Sequence, residues 1–256
     1  MTDQSQGLLR RFPGVRTRDP GELRAWLAPV FSINSVDMPG GGRAFNTVFN
    51  HCQLSSIALT YARYGSPAKF RLSQNNFFVQ GFPIAGSGEV QWNRHSSFVE
   101  GVSSGVAGGP GAEATLTYGA NFEHIIMKAS PAALSHKLSA LIGVPVDPPL
   151  RLMERATEQT PHSAALFRLL MFLIGELDRS EHALPPIVAT EVEQALMVNY
   201  LLANQNNYSH LLEGTPRAAA PWQVRRAVDY IEAHWDLPIA IENLTEVSHT
   251  TARSLF

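Results

Sequence analysis

The residues best suited to binding a small molecule lie in a strand-like run and at a tryptophan further along the chain. Alternation along residues 54–64 places Tyr61 and Arg63 on one face with apolar neighbours. An arginine on such a face could pair with a carboxylate through two parallel hydrogen bonds, and Trp92 could stack on a planar ligand. The alternative is that Arg63 lies in solvent at the rim of the fold and Trp92 in the core. Tyr61, Arg63 and Trp92 are therefore the candidate ligand-binding residues, with both interpretations open.

Patterns that would indicate an enzyme are weak. Residues 101–105 (GVSSG) fit the G-x-S-x-G nucleophile motif, but the glycine- and proline-rich residues after them cannot form the helix that this motif requires. A cupin-type metal enzyme would use a His-x-His motif, which the sequence lacks, since His51, His95 and His124 are dispersed. The sequence predicts no catalytic residue, no metal ligand and no cofactor. A metal-dependent cupin enzyme remains an alternative. Stoichiometric iron or zinc in the purified protein would favour it.

The composition is that of a folded protein with a sizeable core. Of 256 residues, 45% are hydrophobic, and the formal net charge is −2, so any attraction to DNA must come from a local surface. Cys52 is the only cysteine, which excludes an intrachain disulfide and fits a reducing compartment. The first residues show no secretory pattern, and the longest apolar stretch, 169–174, is too short to span a membrane. We expect a cytoplasmic protein with no membrane partner.

The first half of the sequence has a residue pattern typical of β-strands. Residues 44–128 contain short runs rich in β-branched and aromatic residues, separated by glycine, proline, asparagine and serine about every ten positions. This spacing is typical of a β-sandwich or small antiparallel barrel. Helices do not alternate with these runs, so we do not expect a parallel α/β sheet. Residues 19–31 predict one helix before them, with Asp19 as N-cap and Pro20 at the first position.

After residue 130 the hydrophobic pattern becomes helical. The sequence predicts a helix over 131–142, with Ser130 as its N-cap and Gly143 as its stop. Two more helices are predicted over 163–179 and 186–204. The first of these is apolar on nearly all sides, so we expect it to be buried on several sides and to supply a subunit interface.

A stretch rich in alanine, glycine and proline at 213–220 predicts a linker, and a pattern of three helices follows it. An amphipathic helix begins at Pro221, a short helix covers 241–248, and a third helix begins at Thr251 after a polar turn. A short supporting helix, a tight turn and a second helix are the parts of a helix-turn-helix, whose recognition helix enters the major groove of DNA. The chain ends at Phe256, about one and a half turns into that helix.

Several separated strings resemble the AraC/XylS family of transcriptional regulators. In the C-terminal part they are PWQVRRAVDYIEAHW (221–235), LPI (237–239), IENL (241–244) and ARSLF (252–256). Three upstream strings are similar to family members that carry an AraC-type ligand-binding domain: LTYARYG (59–65), YGANFEH (118–124) and NYSHLL (207–212). The strings occur in register and cover most of the chain.

The resemblance implies a fold, a domain order and a function. The fold class is α+β, with a cupin-like antiparallel β-barrel that senses a small molecule, then a helical dimerisation segment and the start of an all-α helix-turn-helix domain. The implied divisions are 1–145 for effector binding, 146–212 for dimerisation, 213–220 for the linker and 221–256 for the incomplete DNA-binding domain. The implied partners are operator DNA, RNA polymerase, a second copy of the chain and a small-molecule effector, which we expect to be an aromatic or carboxylate compound.

The resemblance places Thr250, Thr251 and Arg253 at the start of the recognition helix, as the predicted DNA contacts. Arginine can bind guanine O6 and N7 with two hydrogen bonds, although Arg253 could also be a solvated surface residue. His249 stands where the family often has a turn glycine, and Thr245 where it has a small alanine, so that the threonine hydroxyl needs a partner. With so short a recognition helix, we expect no specific operator binding by this chain alone; a fragment that only dimerises is an alternative function.

Overall fold

The computed structural model describes residues 7–39, 46–73, 75–92, 95–101, 105–153, 160–179, 184–212 and 222–249. The strands are β1 (Pro13–Thr17), β2 (Ile33–Asp37), β3 (Thr47–Gln53), β4 (Ile57–Arg63), β5 (Ala68–Leu72), β6 (Phe78–Ala85), β7 (Ser87–Trp92), β8 (His95–Glu100), β9 (Val106–Gly108), β10 (Ala114–Tyr118) and β11 (Glu123–Ala129). The helices are α1 (Pro20–Phe31), α2 (Pro131–Ile142), α3 (Pro161–Asp178), α4 (Pro186–Ala203), α5 (Ser209–Leu212), α6 (Trp222–Ala233) and α7 (Ile241–Ser248).

The strands form two sheets in which neighbouring strands run antiparallel. The six-stranded sheet has the order β1-β3-β4-β11-β6-β9, and the five-stranded sheet has the order β2-β5-β10-β7-β8. The predicted α+β class, with cupin-like antiparallel sheets followed by helices, is confirmed. Four strands that the sequence did not predict (β1, β2, β5 and β9) are short, with at most five residues each.

The ends of the first two helices follow from local hydrogen bonding, as predicted. Asp19 accepts a hydrogen bond from the Gly21 backbone N–H, and Ser130 accepts one from the Ala133 N–H. Each side chain thereby satisfies a helix N–H that has no partner within the helix. Gly143 ends α2 with φ at 78°, a left-handed conformation that glycine adopts without steric cost.

Two hydrophobic cores lie on opposite faces of the six-stranded sheet. The inner core fills the space between the two sheets, and its side chains include Leu27, Phe49, Ala62, Tyr64, Phe70, Val90, Tyr118 and Phe122. The outer core lies between the six-stranded sheet and helices α2 to α4, and it includes Leu59, Tyr61, Met127, Leu138, Leu170, Leu196 and Tyr200. Successive residues of β4 alternate between the two cores, because side chains along a strand point to opposite faces.

Helix α3 is buried on one side and open on another. Leu166, Leu170, Leu173 and Ile174 are fully buried in the outer core, whereas the side chain of Phe172 is 50% exposed. The prediction that this helix is buried on several sides is therefore wrong for its outward side. The exposed phenylalanine leaves an apolar surface on α3.

Gly175 offers a simple test of the α3 assignment. A Cβ added at this position would meet no heavy atom within 4 Å, and alanine has a higher helix propensity than glycine. We expect Gly175→Ala to raise the free energy of unfolding by about 0.5–1 kcal/mol, measured as a shift in the urea midpoint at constant slope. A lower midpoint would show that residue 175 is not in a regular, open helix position.

Candidate functional site

An internal cavity lies in the inner core between the two sheets. Its volume is about 70 Å³, and both sheets and α1 contribute to its walls. Almost all the lining side chains are apolar or aromatic. The polar groups among them belong to Tyr64, Trp92, Tyr118 and His124. A concave, mostly apolar space with a few polar groups is the usual form of a small-molecule site.

One end of the cavity is built from stacked rings. The rings of Tyr118 and Phe122 lie 4.2 Å apart and 12° from parallel, and Tyr64 stacks on Tyr118 at 5.1 Å. His124 touches all three rings, with centroid distances between 5.0 and 5.7 Å. These four side chains, which we call the aromatic end, form a flat-sided wall that suits a planar molecule.

His124 and Tyr64 form a buried hydrogen-bonded pair within the aromatic end. The distance between His124 Nε2 and the Tyr64 hydroxyl is 2.8 Å, and both side chains are buried. Burial lowers the pKa of His124 to about 3 and raises the pKa of Tyr64 well above its usual value. Both groups are consequently uncharged at neutral pH.

Two polar groups of the lining have no hydrogen-bond partner in the part of the chain that the structure describes. Trp92 Nε1 is buried without an acceptor, and the Tyr118 hydroxyl makes no hydrogen bond to a described residue, although burial raises its pKa. An unpaired buried polar group is costly, so Trp92 Nε1 gains from a ligand or water, and the Tyr118 hydroxyl is available to bind one. Tyr118 pairs with Gly88 of β7, and Trp92 is four residues further along that strand. The backbones of Gly88 and Trp92 are therefore roughly 13 Å apart.

The local sequence explains how the aromatic end forms. Tyr118 ends β10 and Phe122 precedes β11, and a turn closed by the Phe122 N–H donating to the Gly119 carbonyl brings their rings together. Gly88 faces the Tyr118 ring, where a Cβ would lie 2.6 Å from Cδ1. A side chain at residue 88 would therefore displace the tyrosine. The cluster could have been found in the sequence from aromatic residues that flank a turn at positions 118, 122 and 124.

The predicted ligand-binding residues lie in two places. Trp92 lines the cavity. Tyr61 faces the outer core instead, where its hydroxyl donates to Glu123 Oε2 at 2.6 Å, and half-buried Arg63 follows on the same face of β4. The cavity is lined by the opposite face of this sheet, so the structure does not bring Tyr61 or Arg63 to it. Effector binding by those two residues stays a prediction.

The predicted helix-turn-helix is described up to His249. Its first two helices, α6 and α7, are present, and a hydrogen bond of 3.4 Å from Arg226 to the Val247 carbonyl links them. The Thr245 hydroxyl has the partner that it needs, because it donates to the Glu242 carbonyl at 2.8 Å. His249 adopts φ 48° and ψ 43°, the conformation that favours glycine. Thr250, Thr251 and Arg253, the predicted DNA contacts, lie outside the described residues.

The described residues hold no group of three or more His, Cys, Asp or Glu side chains arranged to bind a metal ion. Among the helices that these residues form, none has both the length and the apolar character needed to cross a membrane. The thiol of Cys52 is buried and free, and burial raises its pKa to about 11, which keeps it protonated.

The two facing sheets, the aromatic cavity between them and the helices that follow define a cupin-like α+β protein. Residues 23–202 match the family described as the AraC-binding-like domain. The chain therefore belongs to this family, and it carries the ligand-binding domain of AraC-type transcriptional regulators.

Three individual proteins illustrate what this chain is similar to. The probable thc operon regulatory protein of Rhodococcus erythropolis is 32% identical over 133 residues, which make up 51% of this chain and 40% of that protein. The match thus spans less than half of the relative's length. The AraC-like transcriptional activator CuxR shares the fold, with a TM-score of 0.51 at 12% identity over 94% of this chain and 86% of CuxR. The Cnp3 cupin domain of Schizosaccharomyces pombe matches 40% of this chain and 74% of its own, at 12% identity and a TM-score of 0.32.

Proposed function

We propose that this chain is a ligand-responsive, sequence-specific DNA-binding transcriptional regulator of the AraC/XylS type, and that its effector binds in the inner-core cavity. The observation that carries the proposal is the buried aromatic end of the cavity, with the uncharged His124–Tyr64 pair, inside a ligand-binding domain of AraC-type regulators. The proposal gives the chain no catalytic role. It acts in the cytoplasm, where its DNA and RNA polymerase are found.

The DNA-binding part of the proposal is supported by α6 and α7. These helices are short, packed against each other and followed by a left-handed residue at His249, as in a helix-turn-helix. Thr250, Thr251 and Arg253 would then contact bases at the start of the next helix. Changing Arg253 to alanine is expected to relax base preference at one operator position, since a bidentate arginine–guanine pair contributes about 1–3 kcal/mol of discrimination.

The proposed homodimer uses the outward side of α3. The side chain of Phe172 is half exposed there, and a large apolar side chain in contact with water is a common feature of an interaction surface. Light scattering at micromolar concentrations should give the mass of two chains, and Phe172→Asp should shift the equilibrium toward one. A monomer for the unchanged protein would overturn this part of the proposal without affecting effector binding.

Gly81→Ala tests whether the cavity is the effector site. Gly81 lines the cavity, and a Cβ there would lie 3.6 Å from His124 Nδ1, an ordinary contact, so the fold accepts the added methyl group. We expect the effector concentration for half-maximal response to rise about tenfold or more, because one methyl group in a tight apolar pocket has an effect of this size. Ala25→Ser is the control, since it adds one heavy atom on the exposed face of α1, away from both the cavity and the proposed dimer surface on α3.

The experiment uses a transcriptional reporter fused to the promoters that flank the gene, with the gene product expressed in full. Cells are exposed to a panel of neutral, acidic, basic and sugar compounds. The proposal predicts a response to at least one compound, weakened by Gly81→Ala and unchanged by Ala25→Ser. If no compound of any class changes transcription of the reporter, the proposed function is wrong.

A further inference from the structure

We propose that the effector is a small, uncharged, planar molecule of about one ring with a hydrogen-bonding group at one end, and that Tyr118 and His124 recognise that group. This inference rests on the proposed function and names the chemical class of its ligand. It narrows the choice between an aromatic compound and a carboxylate in favour of a neutral aromatic compound such as a phenol.

The charge of the ligand follows from the lining. In the described part of the chain, no Asp, Glu, Lys or Arg side chain lines the cavity. Lys128 lies outside it, with Nζ 5.1 Å from the centroid of the Phe77 ring and 5.6 Å from that of Phe31, and it donates to the Val30 carbonyl at 2.8 Å. An ionised ligand would lose its hydration without gaining an ion pair, and this penalty is several kcal/mol for each buried ion.

The size and shape of the ligand follow from the volume and the rings. The free volume of about 70 Å³ is roughly half of the 150 Å³ at which an engineered protein cavity takes up benzene. A single ring can enter with a small outward shift of the lining, and a larger compound would need a larger shift. The stacked faces of Tyr118 and Phe122 favour a flat molecule over a puckered one.

The position of the polar group follows from the aromatic end. The Tyr118 hydroxyl makes no hydrogen bond to a described residue, and the neighbouring His124 is held neutral beside Tyr64. A ligand hydroxyl placed here can both accept from and donate to these two side chains. A ligand without a polar atom would leave the Tyr118 hydroxyl unpaired, so the site discriminates between analogues of equal size.

Three probes of similar size separate these features: phenol, toluene and benzoate. Binding to the purified chain is measured at pH 7.5 by calorimetry and by ligand-induced shifts in the thermal midpoint. We expect saturable binding of phenol, binding of toluene about three to ten times weaker, as the loss of one neutral hydrogen bond implies, and no detectable binding of benzoate. Tight binding of benzoate would overturn the inference about charge. Equal binding of toluene and phenol would overturn the inference about the polar group.

Tyr118→Phe tests the assigned residue, and Tyr200→Phe is its matched control. The Tyr200 hydroxyl is also buried and without a partner among the described residues, but it lies in the outer core. Tyr118→Phe should reduce phenol affinity three- to tenfold and leave toluene affinity unchanged, whereas Tyr200→Phe should change neither. A loss of phenol affinity in both variants, or in neither, contradicts the assignment. If none of the three probes binds, the inference about the ligand is wrong, but the proposed function is not affected. The proposed function is tested separately by the reporter experiment, which uses every class of compound.

Discussion

Acidification from pH 7 to pH 4.5 is expected to destabilise the folded chain by about 2–3 kcal/mol through His124 alone. The pKa of His124 is about 3 in the folded protein because the side chain is buried, whereas an unfolded histidine titrates near 6.5. The unfolded state therefore binds a proton first, and stability is lost as the pH falls from about 6.5 toward 3. Tyr64 and Tyr118, the titratable side chains stacked on His124, stay neutral over this range because burial raises both of their pKa values.

The comparison that isolates His124 uses His124→Gln, since glutamine can still hydrogen-bond the Tyr64 hydroxyl. Urea unfolding is measured at both pH values, and the loss of stability on acidification should be about 2–3 kcal/mol smaller in the variant. Burial also lowers the pKa of His51, but this group is present in both proteins and cancels. Equal losses in the two proteins would show that His124 is not buried in a neutral state.

Replacing Glu193 by alanine is expected to lower the free energy of unfolding by about 3 kcal/mol, because hydrogen bonds to charged groups are worth about 1.5–3 kcal/mol and buried donors left unpaired are costly. Glu193 on α4 is 2% exposed. Its carboxylate accepts from the Ser56 N–H at 2.7 Å and from the Ser55 hydroxyl at 3.1 Å. The contact holds the turn between β3 and β4 against the helices, so it joins the sheet of the cavity to the proposed dimerisation region.

Two further variants show whether the loss comes from these hydrogen bonds. Glu193→Gln keeps one acceptor oxygen and should lose about half as much stability. Glu191→Ala removes an exposed carboxylate from the same helix and should stay within about 0.5 kcal/mol of the unchanged protein. Circular dichroism during urea unfolding gives all three values. A loss for Glu193→Ala no larger than for Glu191→Ala would show that the turn is not anchored by the carboxylate.

The elements that could be predicted from the sequence are those whose ends depend on neighbouring residues. The caps of α1 and α2 are examples, because Asp19 and Ser130 satisfy backbone groups two or three residues away. The unpredicted strands β1, β2, β5 and β9 have at most five residues each. Their strand character depends on pairing with distant segments, as β5 pairs with both β2 and β10, and a local pattern does not carry that information.

The site was harder to predict because β4 is buried on both faces. Alternation correctly separates Tyr61 and Arg63 from Ala62 and Tyr64, but it cannot say which set faces the cavity. Helices more than seventy residues later in the chain cover the first set, so the answer depends on tertiary structure. Trp92 was identified from its residue type alone, and the aromatic end was visible in the sequence only as a string of aromatic residues around a turn.

The central claim is that the inner-core cavity binds the effector, and the ring of His124 at its aromatic end reports on it most directly. His124 lines the cavity and is buried, whereas the side chain of His162 is exposed. In a long-range ¹H–¹⁵N spectrum of the histidine rings assigned with His124→Gln, the compound that induces the reporter most strongly should shift the His124 ring signals in a saturable way and leave those of His162 unchanged. Binding seen by calorimetry without any change in the His124 signals would place the effector elsewhere and contradict the account.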